Sequence, residues 1–145
     1  LRTPLVDDET GDTTHPTLSP DGTRLAYLHE ELSDPDTPPR ITLRVLDILD
    51  GITTVEARDW DRRPTSIAWL PDDAGLIVTA DENGRAPIFV LWFGTDRPEK
   101  LTGDDAAYTD VSVAPDGSAL YALRASYEAP PHPVRVALTA PMPER

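Results

Sequence analysis

One turn, repeated three times, constrains this chain more than any other feature in it. Ser19-Pro20-Asp21-Gly22, Leu70-Pro71-Asp72-Asp73 and Ala114-Pro115-Asp116-Gly117 each follow a short strand-like stretch and precede an apolar run. Proline presets φ at the second turn position, aspartate bonds the backbone two residues on, and glycine takes a left-handed exit without a Cβ penalty. Each motif therefore predicts a tight hairpin, with Pro20, Asp21, Gly22, Pro71, Asp72, Pro115, Asp116 and Gly117 as structural turn residues. The three prolines stand 51 and then 44 residues apart, the period of a four-stranded propeller blade.

Strand patterning around the turns divides the chain into units. The first, 15–58, has strands at 17–19, 24–29, 41–48 and 52–57. The second, 59–104, has strands at 66–69, 76–80, 88–93 and 99–102. The third, 105–145, has strands at 110–113, 119–124 and 134–138 and ends one strand short, because the tail is rich in proline. Residues 1–14 read as the outer strand of a preceding blade, Leu1 to Val6, followed by a loop. The predicted fold is all-β, a partial β-propeller of about three four-stranded antiparallel blades. The orphan strand at one end and the open blade at the other predict a homodimer by strand exchange, closing a six-bladed ring with twofold symmetry. The second turn has Asp73 where the others have glycine, so its geometry is expected to differ, with Gly75 relieving the strain.

Hydrophobic residues make up 39% of the chain and charged residues 27%, enough to fill a core and cover a surface. The 16 prolines fall mainly in turns and loops, and no amphipathic helix stands out. A formal charge of −13 repels phosphate backbones, which argues against nucleic-acid partners. The longest apolar run, Ile88 to Phe93, has the length of a buried strand and falls far short of the ~20 residues of a membrane helix, so no membrane partner is expected. With no cysteine there is neither a disulfide nor a thiol nucleophile; this fits cytoplasm and exterior alike. The chain starts at Leu1 without an initiator methionine, so it reads as starting inside a longer gene product.

Candidate chemistry is sparse. His15 and His132 sit beside prolines in expected loops and His29 ends an expected strand, so all three read as rim or surface histidines and not as members of a catalytic triad. Asp7, Asp8, Glu9 and Asp12 cluster without the spacing of a calcium loop, and Asp72-Asp73 and Asp104-Asp105 read as turn residues; no metal or other cofactor is predicted. Tyr27, Trp69, Trp92 and Tyr121 fall inside strands, where packing between blades accounts for them. Trp60 and Tyr127 fall in loops beside Arg62-Arg63 and Glu128, which makes Trp60, Arg62 and Tyr127 the candidates for substrate or partner contact.

The turn followed by a strand such as Arg24-Leu25-Ala26-Tyr27 resembles the repeats of TolB-like propellers and of the propeller domain of prolyl-oligopeptidase-type (S9) serine peptidases. The stretch from Val111 to Val136, through Ala114-Pro115-Asp116-Gly117 and Glu128-Ala129-Pro130-Pro131-His132, is similar to a late blade in acylaminoacyl-peptidase and dipeptidyl-peptidase relatives. The resemblance implies a noncatalytic propeller that gates short peptides to an α/β-hydrolase domain carrying a Ser-His-Asp triad. No G-x-S-x-G elbow, the turn that exposes the nucleophile of such hydrolases, occurs here. Dipeptidyl-peptidase relatives hold a substrate's amino terminus on a glutamate pair that precedes a Pro-Asp/Asn-Gly turn. Glu30-Glu31 follows such a turn and reads as rim charge. The alternative is a TolB-like protein-interaction module with no hydrolase attached.

Overall fold

The computed structural model describes residues 2–138. Eleven strands form three antiparallel sheets. The first sheet is β1 (Gly11–Leu18), β2 (Arg24–Glu31), β3 (Ile41–Asp47) and β4 (Thr53–Glu56), paired in that order. The second is β5 (Arg63–Trp69), β6 (Gly75–Asp81), β7 (Ile88–Trp92) and β8 (Glu99–Lys100). The third has three strands among the described residues: β9 (Ala107–Val113), β10 (Ala119–Ala125) and β11 (His132–Ala137). Three antiparallel sheets of three or four strands among the described residues match the expected partial propeller.

All three turns close in the same way. The amide of the fourth turn residue donates to the carbonyl of the first: Gly22 to Ser19 at 2.9 Å, Asp73 to Leu70 at 3.1 Å and Gly117 to Ala114 at 2.9 Å. The turn aspartates bond onward to the amides of Thr23, Ala74 and Ser118. Gly22, Asp73 and Gly117 have φ of 76°, 60° and 73°, so Asp73 adopts the glycine conformation at its position and the second turn does not differ. Gly75 does not relieve strain. It opens β6 where a Cβ would lie 2.4 Å from the Leu91 carbonyl oxygen, and only a residue without one lets the two backbones approach.

The first strand of each blade starts earlier than its sequence pattern suggests, because a bulge interrupts the alternation. In β1 the register slips between Thr14 and Thr17, in β5 between Pro64 and Ser66, and opposite β9 between Tyr121 and Leu123. His15 and Asp110 hold positive φ of 55° and 53° at two of these bulges. An added residue flips the inward and outward sense, so a period-two pattern cannot be followed through it. His15 thus lies inside β1, and His132 opens β11 opposite Arg124; neither is a loop residue.

Two apolar seams join the blades, with the middle blade buried on both faces. Leu76, Val78 and Leu91 pack on Leu28, Leu43 and Val45 of the first blade, while Ile77, Ile88 and Val90 pack on Leu120, Ala122 and Tyr108 of the third. The period-two alternation of β6 and β7 sends successive side chains into opposite seams, and each fully buried Leu, Ile or Val contributes about 1.5–3 kcal/mol. Trp69 is buried in the first seam, its Nε1 donating to the Thr17 carbonyl at 2.8 Å. Tyr121 departs from expectation: it is 51% exposed on the outer face of the third blade and fills no seam.

The outer strand suggested at Leu1 to Val6 does not form among its described residues. Residues 2–10 pair with no sheet, and Gly11 to Thr14, assigned by the sequence to a loop, pair with β2. The segment is instead tied to its own blade: Arg44 donates to Asp8 at 3.0 Å. His29, expected at the rim, is fully buried beside it, with Nε2 3.1 Å from the Thr10 hydroxyl and 3.8 Å from Asp8.

Candidate functional site

The Pro-Asp turns all lie at one end of the blades. At the other end are the connections that do not repeat, and every sequence-predicted contact residue lies there. The loop of residues 57–62 turns at Ala57, with φ of 48°, and brings the Trp60 amide to within 2.9 Å of the Ala57 carbonyl. Trp60 then folds inward, edge-on to Phe89 with centroids 4.9 Å apart, against the first seam. Only about 20 Å³ is left among Trp60, Arg62, Arg40 and Glu56, room for no more than a water or two. Burial at this spot pushes the Glu56 carboxyl up.

Arg62 is engaged as well. It reaches Glu82 at 3.1 Å and Asp61 at 2.8 Å, while Lys100 holds the other oxygen of Glu82. The bond from Lys100, followed by that from Arg62, outweighs partial burial and keeps Glu82 below the ordinary glutamate value. Arg63 pairs with Glu30 at 3.4 Å, so one of the two rim glutamates links the first blade to the second. Further along, Arg124 donates to Asp104 at 2.7 Å and the Tyr108 hydroxyl donates to the other Asp104 oxygen at 2.9 Å. Burial works to raise the Asp104 carboxyl, but the bonds from Arg124 and Tyr108 win and lower it.

Tyr127 alone among the three candidates stays open, 91% exposed. The Arg85 guanidinium lies 4.6 Å from its ring centroid, a cation–π stack between the second and third blades. Sequence reasoning missed Arg85, and the signal was available. Asn83-Gly84 is the dipeptide of a two-residue hairpin with positive φ at both positions, here 49° and 76°, flanked by the mutual backbone bonds of Glu82 and Arg85 at 2.9 Å. That hairpin splits the predicted set, sending Glu82 to Arg62 and Arg85 to Tyr127. Arg85, Asp105, Ser126 and Tyr127 line an open cleft of about 250 Å³. At the turn end a separate groove of about 190 Å³ is apolar, walled by Leu70, Val90, Trp92, Leu101 and Leu138.

Comparison with known proteins agrees with this architecture. No family model matches the chain. Over 132 residues, 83% of the chain, it is 35% identical to dipeptidyl-peptidase 5 of Aspergillus fumigatus. The match spans 18% of that relative's length. TolB from Acinetobacter baumannii superposes with a TM-score of 0.68 at 17% identity, covering 92% of this chain and 31% of TolB. A puromycin-hydrolyzing peptidase of Mycobacterium tuberculosis gives 0.62 at 19% identity, covering 87% and 22%. The three sheets are blades of a TolB-like β-propeller. Within that class, the chain is similar to the propeller segment of prolyl-oligopeptidase-type (S9) serine peptidases.

Proposed function

We propose that this segment is noncatalytic and gates the access of short peptides to an S9-type α/β-hydrolase domain joined to it. One observation carries the proposal: 83% of the chain aligns with a dipeptidyl-peptidase at 35% identity, yet its sequence holds no G-x-S-x-G elbow. Tyr127, exposed at the loop end, is the contact residue kept for a peptide. The TolB-like interaction module is the weaker reading, since the likeness to TolB, at 17% identity, is one of fold. Size selection by the parent enzyme is the test. Weakening the seams between blades is expected to raise cleavage of long peptides relative to dipeptidyl substrates, and an unchanged length preference would overturn the gating role. The isolated chain is expected to hydrolyse neither aminoacyl chromogenic substrates nor acyl-peptides. Turnover by pure chain that vanishes on replacing one of its serines would show it to be catalytic.

A further inference from the structure

Arg85 differs from four other cations of the loop end. Arg62, Arg63, Lys100 and Arg124 each face a carboxylate. Arg85 has no carboxylate within ion-pair distance among the described residues, and its Nε is buried without a hydrogen-bond partner. Arg40 and Arg58 enter no ion pair among the described residues either, so what sets Arg85 apart is its orphaned Nε and its place over the Tyr127 ring. The Nε is closed to solvent, so a carboxylate entering the cleft would pair with the terminal nitrogens of the guanidinium.

Both walls of the cleft are held before any ligand arrives. Arg85 is set by the Asn83-Gly84 hairpin and by the bond from the Tyr108 amide to the Ala86 carbonyl, 3.0 Å. Tyr127 is set by a tight turn in which Ser126 and Ala129 exchange backbone bonds at 3.0 and 3.4 Å. Preorganised groups lose little freedom on binding. Asp105 and Glu128 line the same opening and enter no ion pair among the described residues. Asp104 is not free to answer Arg85, because Arg124 and Tyr108 occupy it.

We infer that the Arg85–Tyr127 cleft binds a short zwitterionic peptide, its carboxylate on the Arg85 guanidinium and an apolar side chain across the Tyr127 ring. The neighbouring carboxylates disfavour a guest that is only anionic; an ammonium group facing Asp105 or Glu128 removes the objection. A volume of about 250 Å³ falls below the usual range of drug-sized pockets and suits one or two residues. The choice of a peptide over another carboxylate rests on the peptide-gating proposal.

Binding of glycyl-phenylalanine to the 145-residue chain, followed by NMR titration, is the test. Amidating the peptide's carboxylate is expected to weaken binding about tenfold or more, the usual size of a lost charge-assisted bond. Arg85→Met is expected to do the same and Tyr127→Ala to cost several-fold. The amide comparison needs no variant, so it stands even if a substitution unfolds the chain. No shifts at ~10 mM dipeptide, millimolar being the weak end of specific binding, would overturn the inference, as would an amide that binds equally well. Acetate binding as tightly as the dipeptide would overturn it too, since the cleft would then read a carboxylate and not a peptide. The assay needs no hydrolase, so these failures leave the size-selection result on the parent enzyme untouched.

Discussion

The two ends of the blades are built on different principles. At the turn end three repeats of one Pro-Asp motif follow one backbone path, with the same closing bond, the same aspartate cap and the same left-handed φ at Gly22, Asp73 and Gly117. At the loop end no connection repeats: an Asn-Gly hairpin in the second blade, a nine-residue loop from 32 to 40 in the first and a proline-bounded turn in the third. Side-chain contacts tie these connections to one another and to the strands. Glu82 ties Arg62 to Lys100, Asp104 ties Arg124 to Tyr108, and Arg85 lies on Tyr127. Stability and individuality are thus separated along each blade. Turn-end changes should act on folding, and loop-end changes on charge and binding.

Gly75→Val should break the turn end most severely. A Cβ there meets the Leu91 carbonyl oxygen at 2.4 Å, backbone against backbone with no side chain to give way, so a loss of about 3 kcal/mol is expected. An unchanged denaturation midpoint would show that the close approach of β6 and β7 is not needed. Gly22→Val and Gly117→Val come next. Space is open around Gly22 and nearly so around Gly117, so only backbone strain acts, and each should cost about 1–2 kcal/mol. Chemical denaturation of both variants checks this, and a larger loss at one than at the other would undo the equivalence of the turns.

The same division decides how much of the molecule the sequence reveals. Turn chemistry is local: proline, aspartate and glycine act within four residues, so all three hairpins and the strands flanking them are legible from Pro20, Pro71 and Pro115 outward. Legibility ends at the bulges, where His15 and Asp110 flip the alternation and conceal the first halves of β1 and β9. It ends again at Trp60 and His29, because what buries them comes from elsewhere in the chain, Phe89 for one and the Asp8–Thr10 segment for the other. Arg85 was readable through its Asn-Gly hairpin, but its lack of a carboxylate partner is a fact of three dimensions.

Acid should act on both ends, because the turn aspartates Asp21 and Asp116 are also lowered, by the bonds they accept from Thr23 and Ser118. The carboxyls of Glu82 and Asp104 are lowered in the fold from ordinary values of 4.5 and 3.8, so the unfolded chain takes up protons first. The stability they contribute is present above those ordinary values and is lost as pH falls through the lowered ones. Glu56, raised by burial, has the opposite sign and loses its contribution as pH rises through its folded value. Asp104→Asn should flatten the fall in stability between pH 5 and 3, a range set by the ordinary carboxylate values of about 4. An unchanged slope in denaturation midpoints would mean that Arg124 and Tyr108 do not act through the charged carboxylate. Added salt should weaken the loop end while leaving the turns alone, since partly exposed ion pairs are screened and backbone bonds are not.

The smallest effect is the sharpest test of whether the three turns are one device. Asp73 stands at φ of 60° in the position that glycine fills at Gly22 and Gly117, and aspartate tolerates that region better than most residues but less well than glycine. Asp73→Gly removes the Cβ strain and adds freedom to the unfolded chain, two terms of opposite sign. Its carboxylate contributes little to offset, reaching only the Asp21 amide at 3.4 Å, and the carbonyl that accepts Arg24 at 2.7 Å belongs to the backbone and survives the change. The balance is expected to favour glycine by about 0.5 kcal/mol, seen as a small rise in denaturation midpoint. A fall of that size would mean that the second turn needs its aspartate, and that the contact between the first and second blades at Asp21 matters more than the strain it leaves in place.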